Sequence, residues 1–339
     1  MKTMIEMQKK LLPDLLDVLK QRYEVLRQLH LMQPVGRRSL AAALGMTERI
    51  LRSEVEFLRE QGLIRIETVG MKLSDAGSDL VAEMEPLMKD LFGLTDLEKR
   101  LATHLHLKRV IVVPGDSDQS DWVKKEMGRA VARILKSIAQ PDQVVAVAGG
   151  TTLAAVAEMM TASSSLKETT FVPARGGLGE AVELEANTIA SQMATKSGGK
   201  YQLLHVPDQL SDEARETLIK EPHIQEVVEL VRSARIVVHG IGDAKAMAER
   251  RKSSPQLLAH LQQEGAVGEA FGYYFAPDGR IVYYGRSIGL TLEDLAGADN
   301  VITVAGGSDK AASIAAVCPA VGGGTLITDE GAARAILPM

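Results

Sequence analysis

The chain has 339 residues, too many for one small core, so two domains are expected. A net charge of −5 places any affinity for nucleic acid in a local basic face, not in bulk charge. Cys318 is the single cysteine, which excludes an intrachain disulfide and a cysteine-rich zinc site.

The first residues mix Lys2, Glu6, Lys9, Lys10 and Asp14 through apolar positions, unlike a signal peptide. The longest small apolar stretch, near residue 315, is broken by Pro319, so no membrane span is expected and the protein is read as cytoplasmic. Helical periodicity runs from about Met4 to Leu31, interrupted at Pro13. After the break at Pro34-Val35-Gly36, residues 38–44 form a short helix that stops at Gly45. Thr47 caps a second helix reaching about Gln61. Two short helices joined through a glycine make a helix-turn-helix. Leu51, Val55 and Leu58 share the inward face of the second helix, which leaves Arg49, Arg52, Ser53 and Glu56 outward. Residues 63–67 and 71–73 flank a Thr68-Val69-Gly70 turn, so the unit reads as a winged helix.

On that reading the Thr47–Gln61 helix enters a DNA major groove. Arg49 and Arg52 reach base edges, and Arg37, Arg38 and Ser39 hold phosphates. The competing reading is a small protein-interaction module with solvated charges, since acidic and basic residues nearly balance here. A linker helix from about Asp75 to Leu91 follows. The boundary falls near Leu91–Gly93, giving domains of residues 1–91 and 92–339. A further helix is expected from a cap at Thr95.

From Arg109 the pattern alternates strand, loop and helix, which implies a doubly wound, Rossmann-like parallel sheet. Strands are expected at 110–113, 144–148, 170–173, 201–207, 236–239, 301–305 and 324–330. Asp121 is expected to cap the helix through Ala139. The acidic loop Gly115–Ser120 lacks the glycine and glutamate of a calcium loop and is read as turn chemistry. The run Val144–Ala148 followed by Gly149, Gly150, Thr151 and Thr152 reads as a buried strand, a tight turn and a helix N-terminus. Such an end offers unpaired N–H groups and partial positive charge to an anion. It has neither P-loop nor dinucleotide-fingerprint spacing, and an ordinary turn that binds nothing is the alternative. Arg175, Arg250-Arg251 and Ser308 to Lys310 also follow strands and suit phosphate, and Glu269 suits sugar hydroxyls. Each has a plain reading too: ion pairs, solvated loops, a helix start.

Several longer strings then carry a resemblance: residues 8–16, 34–40, 115–120, 172–180 and 269–275. Over nearly the whole chain they resemble the SorC-type sugar-responsive transcription regulators. The resemblance implies a winged-helix reader joined to a sugar-phosphate effector-binding and oligomerisation domain. It places phosphate contacts on Gly149, Gly150, Thr151, Thr152, Arg175, Arg250, Arg251 and Lys310, and the hydroxyl acceptor on Glu269. Glu185 stands where the family has a glutamine, which puts that contact in doubt. The implied effector is fructose 1,6-bisphosphate or a related sugar phosphate, with no cofactor and no metal. The implied partners are operator DNA and further copies of the chain, as a dimer or a tetramer on DNA.

Two functions remain. One is a repressor of a glycolytic operon that fructose 1,6-bisphosphate releases from its operator. The other is a sugar-phosphate isomerase or deaminase with an appended winged helix, for which His239 and Glu269 are the only candidate bases. The repressor reading assigns no catalytic residue.

Overall fold

The computed structural model describes residues 13–179 and 181–337. The periodicity read ahead of Pro13, and Glu180, lie outside the described residues. The chain divides into two compact units, one ending at Asp96 and one beginning at Leu97.

In the first unit, α1 (Pro13–Met32) buries Tyr23, Val25, Leu26 and Leu29. Next come α2 (Arg37–Ala43) and α3 (Glu48–Glu60). Between them Gly45 has φ +61°, the left-handed conformation that turns the chain at no cost to a residue without Cβ. The Thr47 hydroxyl accepts the Ile50 N–H at 3.3 Å and so caps α3. Leu51, Val55 and Leu58 are buried against Leu40 and the α1 leucines. Each such leucine contributes about 1.5–3 kcal/mol by leaving water. The wing is β1 (Ile64–Glu67) paired antiparallel with β2 (Gly70–Leu73). Ser74 then caps α4 (Asp75–Leu91), accepting the Gly77 N–H at 3.0 Å.

The chain passes from one unit to the other within α5 (Leu94–His104). Thr95 is not its cap: the helix starts one residue earlier, and the Thr95 hydroxyl donates to Asp90 at 2.6 Å. The strands that follow are β3 (Arg109–Val113), β4 (Val144–Val147), β5 (Thr170–Pro173), β6 (Lys200–Tyr201) and β7 (Ile236–His239). After them come β8 (Gly242–Asp243), β9 (Gly268–Ala270), β10 (Tyr273–Phe275), β11 (Ile281–Tyr284), β12 (Asn300–Val304) and β13 (Thr325–Asp329). Seven form a parallel sheet in the order β3-β13-β12-β7-β4-β5-β6. From β4 the chain moves outward to β5 and β6, then returns to β7 on the other side of β4. That reversal opens a crevice at the carboxyl ends of β4 and β7.

Helices α6 (Asp121–Ile138), α7 (Thr151–Met159) and α8 (Ala186–Ser197) cover one face. Val131, Leu135, Val156, Ile189 and Met193 pack there with Val145, Val147 and Val238. Asp121 is the first residue of α6, not its cap; Ser120 holds the cap position and Asp121 pairs with Lys124 at 2.8 Å. The strand expected over 201–207 stops at Tyr201. The Asn187 amide takes both the N–H and the carbonyl of Leu204 at 3.0 Å, so that backbone is spent on a side chain instead of a ladder. The sequence reading also missed a second sheet, antiparallel in the order β11-β10-β9-β8, which carries Glu269.

Candidate functional site

The crevice is lined by the β4–α7 turn, the residues after β5, β7 and β12, and the antiparallel sheet. Its floor follows from local sequence. Val144–Val147 is fully buried, and two glycines end it. A Cβ on Gly149 would sit 2.7 Å from the Leu184 carbonyl, so only glycine fits. Gly150 has φ +115° and gives its N–H to the same carbonyl at 2.8 Å. Gly150 therefore shapes the turn and is not a free donor. The donors left are the N–H groups of Thr151, Thr152 and Leu153 in the first turn of α7, which have no partner among the described residues. Thr152 is buried and Thr151 exposed. Together they leave a helix end with unpaired donors and partial positive charge.

Lys310 reaches the same pocket from the loop after β12. Its position is fixed by carboxylates that the sequence presented as turn residues. One oxygen of Asp329 accepts the N–H groups of Ser117 and Gly307, each at 2.8 Å. Asp116 accepts the Ser308 hydroxyl at 2.8 Å, and Asp118 accepts the Asp309 N–H at 2.9 Å. Three loops are thereby tied together beside Lys310. Its ammonium has no hydrogen bond or ion pair among the described residues. Burial pushes its pKa below the usual lysine value, and Asp118 offsets only part of that.

The arginines are differently placed. Arg175 pairs with Asp208 at 3.0 Å and donates from Nε to the Ser287 hydroxyl at 2.7 Å, while its Nη1 is buried with no partner. Arg251 pairs with Asp208 at 3.1 Å and with Glu269 at 3.0 Å, and donates to the Tyr274 hydroxyl at 3.1 Å. Burial opposes the Arg251 charge, but Glu269 and Asp208 overcome it and raise its pKa further. Glu269 also accepts the Gly272 N–H at 2.6 Å. Asp208 and Glu269 are only 4% exposed, so this is a desolvated network of two guanidinium and two carboxylate groups. Asp208 was absent from the sequence reading; the only signal was a Pro-Asp step just beyond the overextended strand.

Arg250, Glu185 and His239 also line the pocket. Arg250 approaches the Met247 sulfur at 3.5 Å. Glu185 accepts the Leu178 N–H at 3.1 Å, which anchors the loop after β5. His239 is buried, and burial lowers its pKa to about 4. Its Nδ1 lies 3.0 Å from the Gly240 carbonyl, which can only accept, so Nδ1 carries the proton. Nε2 therefore accepts the Thr303 hydroxyl at 2.9 Å, and neither ring nitrogen is free to move a substrate proton. The residues on which the resemblance placed contacts are thus brought together, four cations against the three carboxylates Glu185, Asp208 and Glu269, whereas Ser308 and Asp309 are spent on Asp116 and Asp118 outside the pocket.

The second candidate surface lies on the first unit. Arg37, Arg38, Ser39, Thr47, Arg49, Arg52 and Ser53 are all exposed. Arg37 and Arg49 have no ion pair among the described residues. Arg38 lies 3.3 Å from Glu48 and Arg52 lies 3.7 Å from Glu56. All four of these side chains are more than half exposed, so the pairs are weak and open readily to another anion. No helix among the described residues is long and apolar enough to cross a membrane, and no group of three or more metal-ligating side chains occurs among them.

Comparison with known proteins gives two family matches. Residues 18–88 match the CggR N-terminal DNA binding domain, and residues 89–338 match a sugar-binding domain. The central glycolytic genes regulator of Bacillus subtilis (strain 168) is 51% identical over 337 residues, covering 99% of both chains. The protein of that name from Priestia megaterium is 53% identical over 338 residues, again 99% of both. Among solved structures, a SorC family transcriptional regulator from Enterococcus faecalis is 43% identical with TM-score 0.68, covering 72% of this chain and 100% of its own. The full-length sorbitol operon regulator SorC of Klebsiella pneumoniae shares the fold at 18% identity, with TM-score 0.67, over 89% of this chain and 93% of its own.

Proposed function

Since the chain belongs to the SorC family of sugar-binding transcriptional regulators, we propose that it represses a glycolytic operon and is released from its operator by fructose 1,6-bisphosphate. The observation that carries the effector reading is the pairing of three unpartnered N–H groups on α7 with a half-buried, unpaired Lys310 in one pocket. A phosphate there gains charge-assisted hydrogen bonds of about 1.5–3 kcal/mol each. The second phosphate takes Arg250 and the partnerless Nη1 of Arg175.

Arg251 has a different part. All three of its donor nitrogens are engaged, so it holds Glu269 in position for the sugar hydroxyls instead of meeting a phosphate. Glu185 holds the loop after β5 in place. On DNA, Arg49 and Arg52 read bases while Arg37, Arg38 and Ser39 grip the backbone, with Thr47 fixing the start of α3. The repressor works as a dimer or tetramer in the cytoplasm and uses no cofactor or metal. The saturated His239 and the ion-paired Glu269 speak against isomerisation and favour a regulator over an enzyme.

The test is equilibrium binding of the full chain to DNA from upstream of a glycolytic operon, with and without fructose 1,6-bisphosphate. Release by the bisphosphate, with little effect of fructose 6-phosphate, is expected. Turnover of fructose 6-phosphate or glucosamine 6-phosphate, without specific DNA retention, would overturn the proposal.

A further inference from the structure

A second concave site lies away from the pocket just described. It is lined by Arg215 on α9 (Asp212–Leu218), Arg232 at the end of α10 (Pro222–Arg232), and Tyr284, Arg286, Ser287 and Thr291. No carboxylate lines it. Arg215 and Arg232 have no ion pair among the described residues, in a chain whose arginines mostly have one. Arg286 has only Asp212, at 3.6 Å and more than half exposed. The Nε of Arg215 is buried without a hydrogen-bond partner. A desolvated guanidinium nitrogen left unmatched is costly unless an acceptor arrives.

Ser287 adds a donor. Its oxygen accepts from Arg175 Nε, and its own O–H proton has no acceptor among the described residues. Three guanidinium groups and one hydroxyl around a concavity without carboxylates form a receptor for a tetrahedral oxyanion.

We propose that Arg215, Arg232, Arg286 and Ser287 form a second anion site, which takes the phosphate group of a small metabolite. The site is tied to the first through Ser287. Gly289 bridges the backbone of Arg175, and the Ile288 carbonyl accepts the Gly176 N–H at 3.2 Å, so an anion there bears on the segment that presents Arg175.

Inorganic phosphate titrated into the full chain at low ionic strength, followed by phosphorus line width and calorimetry, tests this. The triple variant Thr152→Ala, Lys310→Ala, Arg250→Ala weakens both phosphate places of the first pocket and should keep one saturable phosphate site. Arg232→Glu, an exposed change that leaves the packing intact, should weaken that site by about tenfold, and Arg215→Ala should do the same. Three results would overturn the site. One is the absence of saturable phosphate binding in the triple variant. Another is unchanged binding in Arg232→Glu. The third is a fall in assembly mass in Arg232→Glu with phosphate binding intact, which would assign the arginines to an acidic face of another copy.

Discussion

Arg251 and Glu269 meet at 3.0 Å with almost no exposure to water, 18 residues apart in sequence. The pair sets two opposite charges against each other in a place where either one alone would be costly to bury. Asp208 completes the arrangement from the opposite side of the guanidinium.

The first prediction concerns Asp208. Asp208→Asn leaves Arg175 and Arg251 buried with one carboxylate fewer, and breaking such a pair costs about 3–5 kcal/mol. Denaturant unfolding of the second unit should show that loss. A change under 1 kcal/mol, on the order of an exposed ion pair, would mean the network is not a structural clamp.

Lys310 should make effector affinity depend on pH. Its folded pKa lies below 10.5, and a bound phosphate restores the charge by supplying a partner. Affinity should therefore fall as pH rises through the lowered pKa, because binding must then take up a proton. Lys310→Met should bind more weakly at neutral pH and lack this alkaline decline. An unchanged profile in that variant would place another group at the phosphate.

His239 gives a stability signature on the acid side. Its folded pKa of about 4 lies below the unfolded 6.5, so its contribution is fully present above 6.5. It is lost as pH falls toward 4, at up to about 1.4 kcal/mol per pH unit. Asn in place of His239 should flatten that slope between pH 6.5 and 5 in denaturant unfolding. Equal slopes would mean that His239 is not buried neutral in the native protein.

The proposed role of α3 on DNA can be probed by contrast between two arginines. Arg52→Ala should cost about 1–3 kcal/mol at the operator and relax its preference, as loss of a guanine contact does. Arg38→Ala should weaken binding to all sequences and lower the salt slope by about 1. Equal effects of both on specific and unrelated DNA would assign both to the backbone.

How much of this was visible in the chain varies with range. Gly149 to Thr152 was legible because a buried strand, its glycines and a helix start are local in sequence. Helix α3 was legible for the same reason: Leu51, Val55 and Leu58 repeat at helical spacing. Asp208 was not, because its partners lie 33 and 43 residues away and nothing nearby marks a carboxylate as buried. The two- to four-residue strands of the antiparallel sheet are too short for alternation to show. Leu203-Leu204 looked like strand because no local signal reveals that Asn187 claims that backbone.

Competition between one sugar phosphate and one operator through this chain is measurable by linkage. If fructose 1,6-bisphosphate lowers operator affinity, operator must lower bisphosphate affinity by the same factor, with a coupling of about 1–3 kcal/mol. Calorimetric titration of fructose 1,6-bisphosphate into the full chain, free and saturated with operator DNA, measures it directly. A sugar-phosphate-gated repressor gives weaker binding in the DNA complex, by the factor seen in DNA release. Equal affinity in both titrations would contradict the assignment of this ligand as the inducer.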